Sequence, residues 1–319
     1  MQASENNATL PVTVCIPTYR REEVLAATVG QFLRERPAPA EILVVDQTPQ
    51  HAPAVEAQLA DWQARGEIRW IRRTTASQPG ALNEGLREAR SPFVLFVDDD
   101  IRLEAGLLTR HLVAFDSEAV WAVVGQILQP GQREDRTFQH QPESGPFADL
   151  EFHFHSARST TVANVMSGNL MVRRQRALDI GGFDEAFIPP VSYRFDSDFA
   201  RRLVNAGGQI RFAPQARIHH LRAVRGGTRS QGSHLTSASP DHGVGDYYFA
   251  LRHAAGVQRW GYIVKRPLRE VATRFHARHP WWIPVKLLGE GRAFVRAVQL
   301  YRGRPVLLGS GGERSGTPS

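Results

Sequence analysis

The chain has 319 residues, 42% of them hydrophobic, enough to bury a sizeable core as one large domain or one domain plus an appendage. Its formal charge of +7 suits an acidic partner such as a nucleotide sugar or an anionic lipid surface, whereas the lack of a dense basic block with interleaved aromatics over the first two hundred positions argues against nucleic acid. The single cysteine, Cys15, excludes an intrachain disulfide, fits a reducing compartment, and reads as core filler within an apolar run.

Residues 1–10 read as a flexible start. They lack the basic residues and apolar stretch of a signal peptide, and no window in the chain approaches the roughly 18 apolar residues of a spanning helix. The expectation is a cytoplasmic protein, at most peripheral on the cytoplasmic face of the membrane.

The first half alternates strand and helix. A strand is predicted over 12–16, followed by a helix over 21–36, where apolar pairs recur four apart and Glu22 and Glu23 favour the first turn. Further strands are predicted over 42–45, 68–71 and 93–97. Helices are predicted around Val55, Leu59 and Trp62 and after Pro79-Gly80. This rhythm argues for a parallel sheet covered on both faces, with ligands beyond the carboxyl ends of its strands. Pro17, Thr18, Asp46 and the triplet Asp98-Asp99-Asp100 all lie at such ends.

A helix around Leu107, Leu112 and Phe115 and a strand over 120–128 follow. Residues 129–160 are polar and read as a long loop over one side of the site. Order returns over 162–172, and a helix is predicted over 198–205, stopped by Gly207-Gly208. Residues 226–245 read as mobile, the stretch to 308 as a helical extension, and 309–319 as a disordered tail.

The triplet carries the chemistry. In extended chain Asp98 and Asp100 share a face, and carboxylates so placed repel unless something positive neutralises them. A hard divalent cation does so and typically also takes substrate phosphates.

VTVCIPTYRR, ILVVDQT, FVLFVDDD, SGNLMVRR and IGGFDEAF, in this order, resemble the family 2 glycosyltransferases, over roughly residues 11–229. The resemblance implies an inverting enzyme of the GT-A fold, an α/β doubly wound, mostly parallel sheet. A catalytic domain over 1–229 would precede the extension over 230–308. The donor would be a nucleoside-diphosphate sugar, by default uridine-linked, and the acceptor a carbohydrate or lipid-linked hydroxyl in polysaccharide or glycoconjugate synthesis. Asp98 and Asp99 would help hold the nucleoside and diphosphate, and Asp100 would be the principal ligand of Mn²⁺ or Mg²⁺. Pro17, Thr18 and Arg20 would line the nucleotide and Asp46 would meet the base. Asn83 falls in the family's Arg-Asn-x-Gly cluster, with Leu82 in place of the arginine. Asp196 takes the position of the general base, with Phe195 in place of the usual glutamate, and Asp198 is expected to cap the helix or assist.

His219, after a short apolar strand, matches the family's metal-shell histidine best, with His220 beside it. For the basic loop of Arg222, Arg225 and Arg229 two readings stay open: closure over the departing diphosphate, or an ordinary solvated loop. Asn169 and Asp184 fall in stretches bordering the acceptor and donor-sugar pocket. For the basic, Trp-bearing C-terminal helices two readings stay open: a peripheral contact with an anionic membrane, or packing on the catalytic domain with an oligomer contact.

A sugar nucleotidyltransferase would need a glycine-rich loop after the first strand, where Pro17-Thr18-Tyr19-Arg20-Arg21 stands instead. A dinucleotide-dependent oxidoreductase would need G-x-G-x-x-G, which follows no strand here. The departures at Leu82 and Phe195 keep a catalytically silent nucleotide- or sugar-binding module as the alternative.

Overall fold

The computed structural model describes residues 9–188, 193–223, 226–227 and 233–309. The first half follows the β/α rhythm of the sequence: β1 (Thr9–Thr18), α1 (Glu22–Arg34), β2 (Ala38–Asp46), α2 (Pro53–Ala64), β3 (Arg69–Arg72), α3 (Gln78–Glu88) and β4 (Phe93–Val97). After it come β5 (Ile101–Leu103), α4 (Leu107–Val113), β6 (Val120–Leu128), β7 (Thr160–Val162), β8 (Asn169–Arg173), α5 (Arg174–Asp179), α6 (Phe195–Asn205) and β9 (Gln209–His220). The remaining helices are α7 (Val244–His253), α8 (Gly256–Val271), α9 (Arg274–Arg278) and α10 (Ile283–Arg302).

The strands form one sheet in the order β3-β2-β1-β4-β8-β6-β9-β5, with β7 also on β9. β3, β2, β1 and β4 run parallel, as do β6 and β9, while β8 is antiparallel to both its neighbours. Period-two alternation divides the core between the two faces of this sheet. Val14, Ile16, Val44, Leu95 and Val97 pack with Leu25, Val29 and Phe32 of α1 and with Leu107 and Leu108 of α4. Cys15, Leu43, Val45, Val94 and Phe96 face the other way, onto Leu82 and Leu86 of α3, Phe199 of α6 and Tyr247 and Tyr248 of α7.

α7 is therefore part of the main core, and the segment after α10 returns to the sheet side. Val306 donates its amide to Asp184 Oδ1 at 2.8 Å, and Leu308 donates to the Gly181 carbonyl at 2.8 Å. Residues 129–160 make a long connection, as expected, but an ordered one: Phe152 and Phe154 pack edge-on against Phe212 of β9. The described part of the stretch read as mobile packs on the C-terminal helices, with Ser237 and Ala238 against Gly289 of α10 and Leu235 O accepting from His276 Nε2. No helix among the described residues is long and apolar enough to cross a membrane.

Candidate active site

The carboxyl end of β4 empties into Asp98-Asp99-Asp100, and β5 then pairs antiparallel with the last turn of β9, setting Ile101 opposite His220. This pairing decides which histidine meets the carboxylates. His220 Nε2 stands 3.3 Å from Asp98 Oδ2 and 3.3 Å from Asp100 Oδ1. His219, one residue earlier, points to the opposite face and reaches Glu104 Oε1 at 3.3 Å. Strand alternation thus turns His219, the histidine expected in the metal shell, away from the carboxylates and brings His220 to them.

Asp98, Asp100 and His220 offer three ligand atoms close enough to share one cation. Asp100 is fully buried, and its Oδ2 accepts from the Ala223 amide at 2.8 Å. Its Oδ1 receives no hydrogen bond of good geometry although it is buried, and it faces the His220 imidazole and Arg21 Nη1, the latter at 3.1 Å. A buried carboxylate oxygen without a well-formed hydrogen bond, beside a second carboxylate and an imidazole, fits a divalent cation.

Asp99 has a different task. Its Oδ2 accepts from Thr18 Oγ1 at 2.6 Å and its Oδ1 from Arg21 Nη1 at 2.9 Å, while its carbonyl accepts from Thr28 Oγ1 of α1 at 2.7 Å. Burial pushes its carboxyl up to about 6, with the Arg21 guanidinium and the Thr18 hydroxyl opposing the rise. Asp99 thus ties the end of β1 and the start of α1 to the end of β4, and it holds Arg21 beside the cluster. The motif points to Arg20, yet it is Arg21 that reaches the carboxylates. In the structure Arg20 is exposed, in the left-handed region at φ 56°, with its guanidinium over the Tyr19 ring. Adjacent arginines at a turn send their side chains apart, and only Arg21 turns inward. Pro17 is buried at the end of β1.

Several residues expected to contact ligands are buried and hydrogen-bonded within the protein. Asp46 has no exposed surface; its carboxylate accepts from the Thr48 amide, from His51 Nε2 at 2.5 Å and from Trp70 Nε1 at 2.9 Å. Asn83 is fully buried: its amide donates to the Phe183 carbonyl and Glu185 Oε1, and its oxygen accepts from the Phe183 amide. Asp184 is likewise consumed, accepting from the Ala186 and Val306 amides and from the Tyr248 hydroxyl. Asn169 accepts from His111 Nε2 at 2.8 Å and donates to the Gln126 and Ala216 carbonyls, bracing the point where the β6–β9 register slips. These residues tie strand ends and loops together.

Asp196 and Asp198 sit in the first turn of α6, and neither is its N-cap, which is Arg194 at φ 73°. Asp198 is fully buried, paired with Arg202 at 2.9 Å and His253 of α7 at 2.7 Å. Asp196 is half-buried and accepts from the Ser167 amide at 3.2 Å. The next residue, Gly168, abuts Asp98: a Cβ there would lie 2.5 Å from Asp98 Oδ2. One turn, Ser167-Gly168, therefore separates the carboxylate of α6 from the carboxylate of β4.

Of the basic loop after β9, Arg222 is exposed and Gly226 and Gly227 lie against Tyr19 and Arg20, with the Gly227 amide donating to the Tyr19 carbonyl at 2.9 Å. Gly226, at φ 77°, has no room for a Cβ, which would meet the Arg20 carbonyl at 2.3 Å. Arg225 and Arg229 lie outside the described residues.

Residues 13–180 match the family model described as Glycosyl transferase family 2. The chain belongs to that family. A stretch of 140 residues is 27% identical to the pre-mycofactocin glycosyltransferase of Mycobacterium tuberculosis, covering 44% of this chain and 29% of that protein; the match spans less than a third of that relative's length. Among solved structures, the mannosyltransferase PcManGT of Pyrobaculum calidifontis, in complex with GDP-Man and Mn²⁺, superposes with a TM-score of 0.53 at 17% identity over 94% of this chain and 82% of that one. S. aureus TarS 1–349 does so with a TM-score of 0.55 at 14% identity, over 92% and 80%. GalNAc-T7 with UDP, GalNAc and Mn²⁺ gives 0.52 at 12% identity, over 70% and 44%. This family 2 glycosyltransferase thus has the GT-A fold, and its triplet stands at the carboxyl end of β4.

Proposed function

We propose that the chain is an inverting, divalent-metal-dependent glycosyltransferase that moves a sugar from a nucleoside-diphosphate sugar to an acceptor hydroxyl, with Asp196 as general base. The observation that carries this reading is the single turn Ser167-Gly168, which holds Asp196 on one side and Asp98 on the other. Leaving-group machinery and base then flank one space, as an in-line displacement needs.

Asp98, Asp100 and His220 would hold the cation. Two carboxylates and one imidazole suit Mn²⁺ better than Mg²⁺, in keeping with the Mn²⁺ in the PcManGT and GalNAc-T7 complexes. When bound there, a divalent cation would neutralise the carboxylates and draw the donor's diphosphate to them.

Asp196 accepts the proton of the acceptor hydroxyl as its oxygen bonds to the anomeric carbon. The bond from that carbon to the diphosphate breaks on the opposite face, and its electron pair leaves with the diphosphate. The Ser167 amide orients the Asp196 carboxylate. Arg21, fixed by Asp99, places a guanidinium beside the position where negative charge develops. Thr18 holds Asp99 in turn. The basic residues Arg222, Arg225 and Arg229 would supply further positive charge for the departing diphosphate. UDP-linked sugars are the first donors to test, and polysaccharide or glycoconjugate synthesis is the setting proposed.

The test is Asp196→Asn. Transfer is expected to fall by about 10²-fold or more, with nucleotide binding in Mn²⁺ retained. Full transfer activity in Asp196→Asn would remove it from the role of base.

A further inference from the structure

We propose that the outer face of α8, with the cations around it, seats this enzyme on an anionic lipid bilayer. This goes beyond the transfer reading and does not depend on it.

The amphipathicity of α8 is reversed with respect to the protein. Its inner face carries Ile263 and Arg266, and the Arg266 guanidinium pairs with Asp246 at 3.0 Å and Glu290 at 3.1 Å. Its outer face carries Val257, Trp260, Val264 and Leu268, exposed by 89, 55, 61 and 62%. Their spacing of three, four and four residues makes one continuous helical stripe. Single exposed apolar residues are ordinary, but a contiguous stripe marks a surface that something covers.

Charge identifies the cover. Residues 254–309 contain eleven Lys and Arg against two Glu, while the rest of the chain has 28 against 30. The positive charge of the protein therefore resides in its C-terminal helices. Both glutamates are spent internally, Glu270 on Lys286 at 3.0 Å and Glu290 on Arg266 and Lys286. Lys265, Arg269, Arg274 and Arg278 are exposed and pair with no carboxylate among the described residues. Trp281, 64% exposed, follows in the chain, and indole favours the boundary between headgroups and acyl chains. A second copy of the chain would satisfy the apolar stripe but bring two sets of cations together. An anionic bilayer satisfies both, taking the stripe among the acyl chains and the cations among the headgroups.

Docking by this face would also orient the catalytic end. Asp246 of α7 pairs with Arg266 of α8 and with Arg194 at 2.9 Å, and Arg194 opens the helix that carries Asp196.

The experiment sediments the full chain with vesicles of phosphatidylcholine alone and of phosphatidylcholine with about one third phosphatidylglycerol. Wild type is expected to bind the anionic vesicles and to be released by salt. Trp260→Glu/Leu268→Glu is expected to bind at least about tenfold more weakly, and Lys265→Glu/Arg269→Glu similarly, since each cation near such a surface is worth about fivefold. Melting temperatures should match wild type. If a variant does not fold, quenching of wild-type tryptophan fluorescence by bromine-labelled lipid decides instead, and absence of quenching overturns the proposal. Equal binding by wild type and the stripe variant also overturns it. So does a dimer seen by light scattering that the stripe substitutions dissolve while wild type ignores vesicles.

Discussion

Adding one methyl group at Gly168 should separate the fold from the chemistry. In Gly168→Ala the new Cβ would stand 2.5 Å from Asp98 Oδ2 and 3.0 Å from its Cγ. Ordinary carbon–oxygen contact begins about 0.8 Å further out, so the carboxylate must move by roughly that amount. The Asp98 side chain is 22% exposed and can swing toward solvent, so the fold should lose only about 1 kcal/mol. The ligand set should lose far more. Asp98 would leave the position it shares with Asp100 and His220, and misplacement by about 1 Å at a reacting site can cost about 10²-fold in rate. The paired assay is thermal melting with and without Mn²⁺, alongside release of nucleoside diphosphate from a donor sugar. The expected result is a near-normal metal-free melt, a much smaller Mn²⁺ shift and strongly reduced release. A variant with wild-type Mn²⁺ stabilisation and wild-type release would refute the placement of Asp98 in the site.

The two histidines at the end of β9 should behave oppositely: His220→Gln is expected to weaken Mn²⁺ binding by about tenfold or more, His219→Gln to leave it near wild type, with calorimetric titration of Mn²⁺ as the readout. Reversal of that order would return the metal shell to His219. A second expectation concerns acid stability. Burial pushes the His111 imidazole down to about 4 from 6.5, opposed by its bond to Asn169. The unfolded chain therefore takes up this proton first as pH falls. Stability present above pH 6.5 is lost progressively toward about pH 4, by about 3 kcal/mol in total. His111→Gln should flatten the decline in melting temperature between pH 7 and pH 5 relative to wild type. An identical slope in the two proteins would show that folding does not shift the His111 imidazole.

The sheet was legible because its evidence is local. Residues 93–97 and 120–128 were predicted as strands and form β4 and β6 with those bounds, since a short apolar run between turns has few other fates. The convergence of Thr18 and the triplet followed from strand ends alone. What stayed hidden depends on register and on inside versus outside. His219 and His220 differ only by strand parity, which the slip between Gly125 and Gln126 and the pairing with β5 decide. Asn83, Asn169 and Asp184 stand in motif positions, but a small polar side chain that binds a sugar and one that satisfies buried backbone look the same in sequence. The outward stripe of α8 was also out of reach, because helical periodicity marks an apolar face without saying which way it points.

A divalent cation held by Asp98, Asp100 and His220 would recruit the nucleoside diphosphate. Calorimetric titration of UDP and GDP into the full chain, with Mn²⁺ and with chelator, tests it most directly, with Asp100→Asn as the matched control. Binding of at least one nucleotide that requires Mn²⁺ and is lost in Asp100→Asn is expected. Binding of equal strength in chelator, or unchanged in Asp100→Asn, would show that no cation at this cluster recruits the nucleotide.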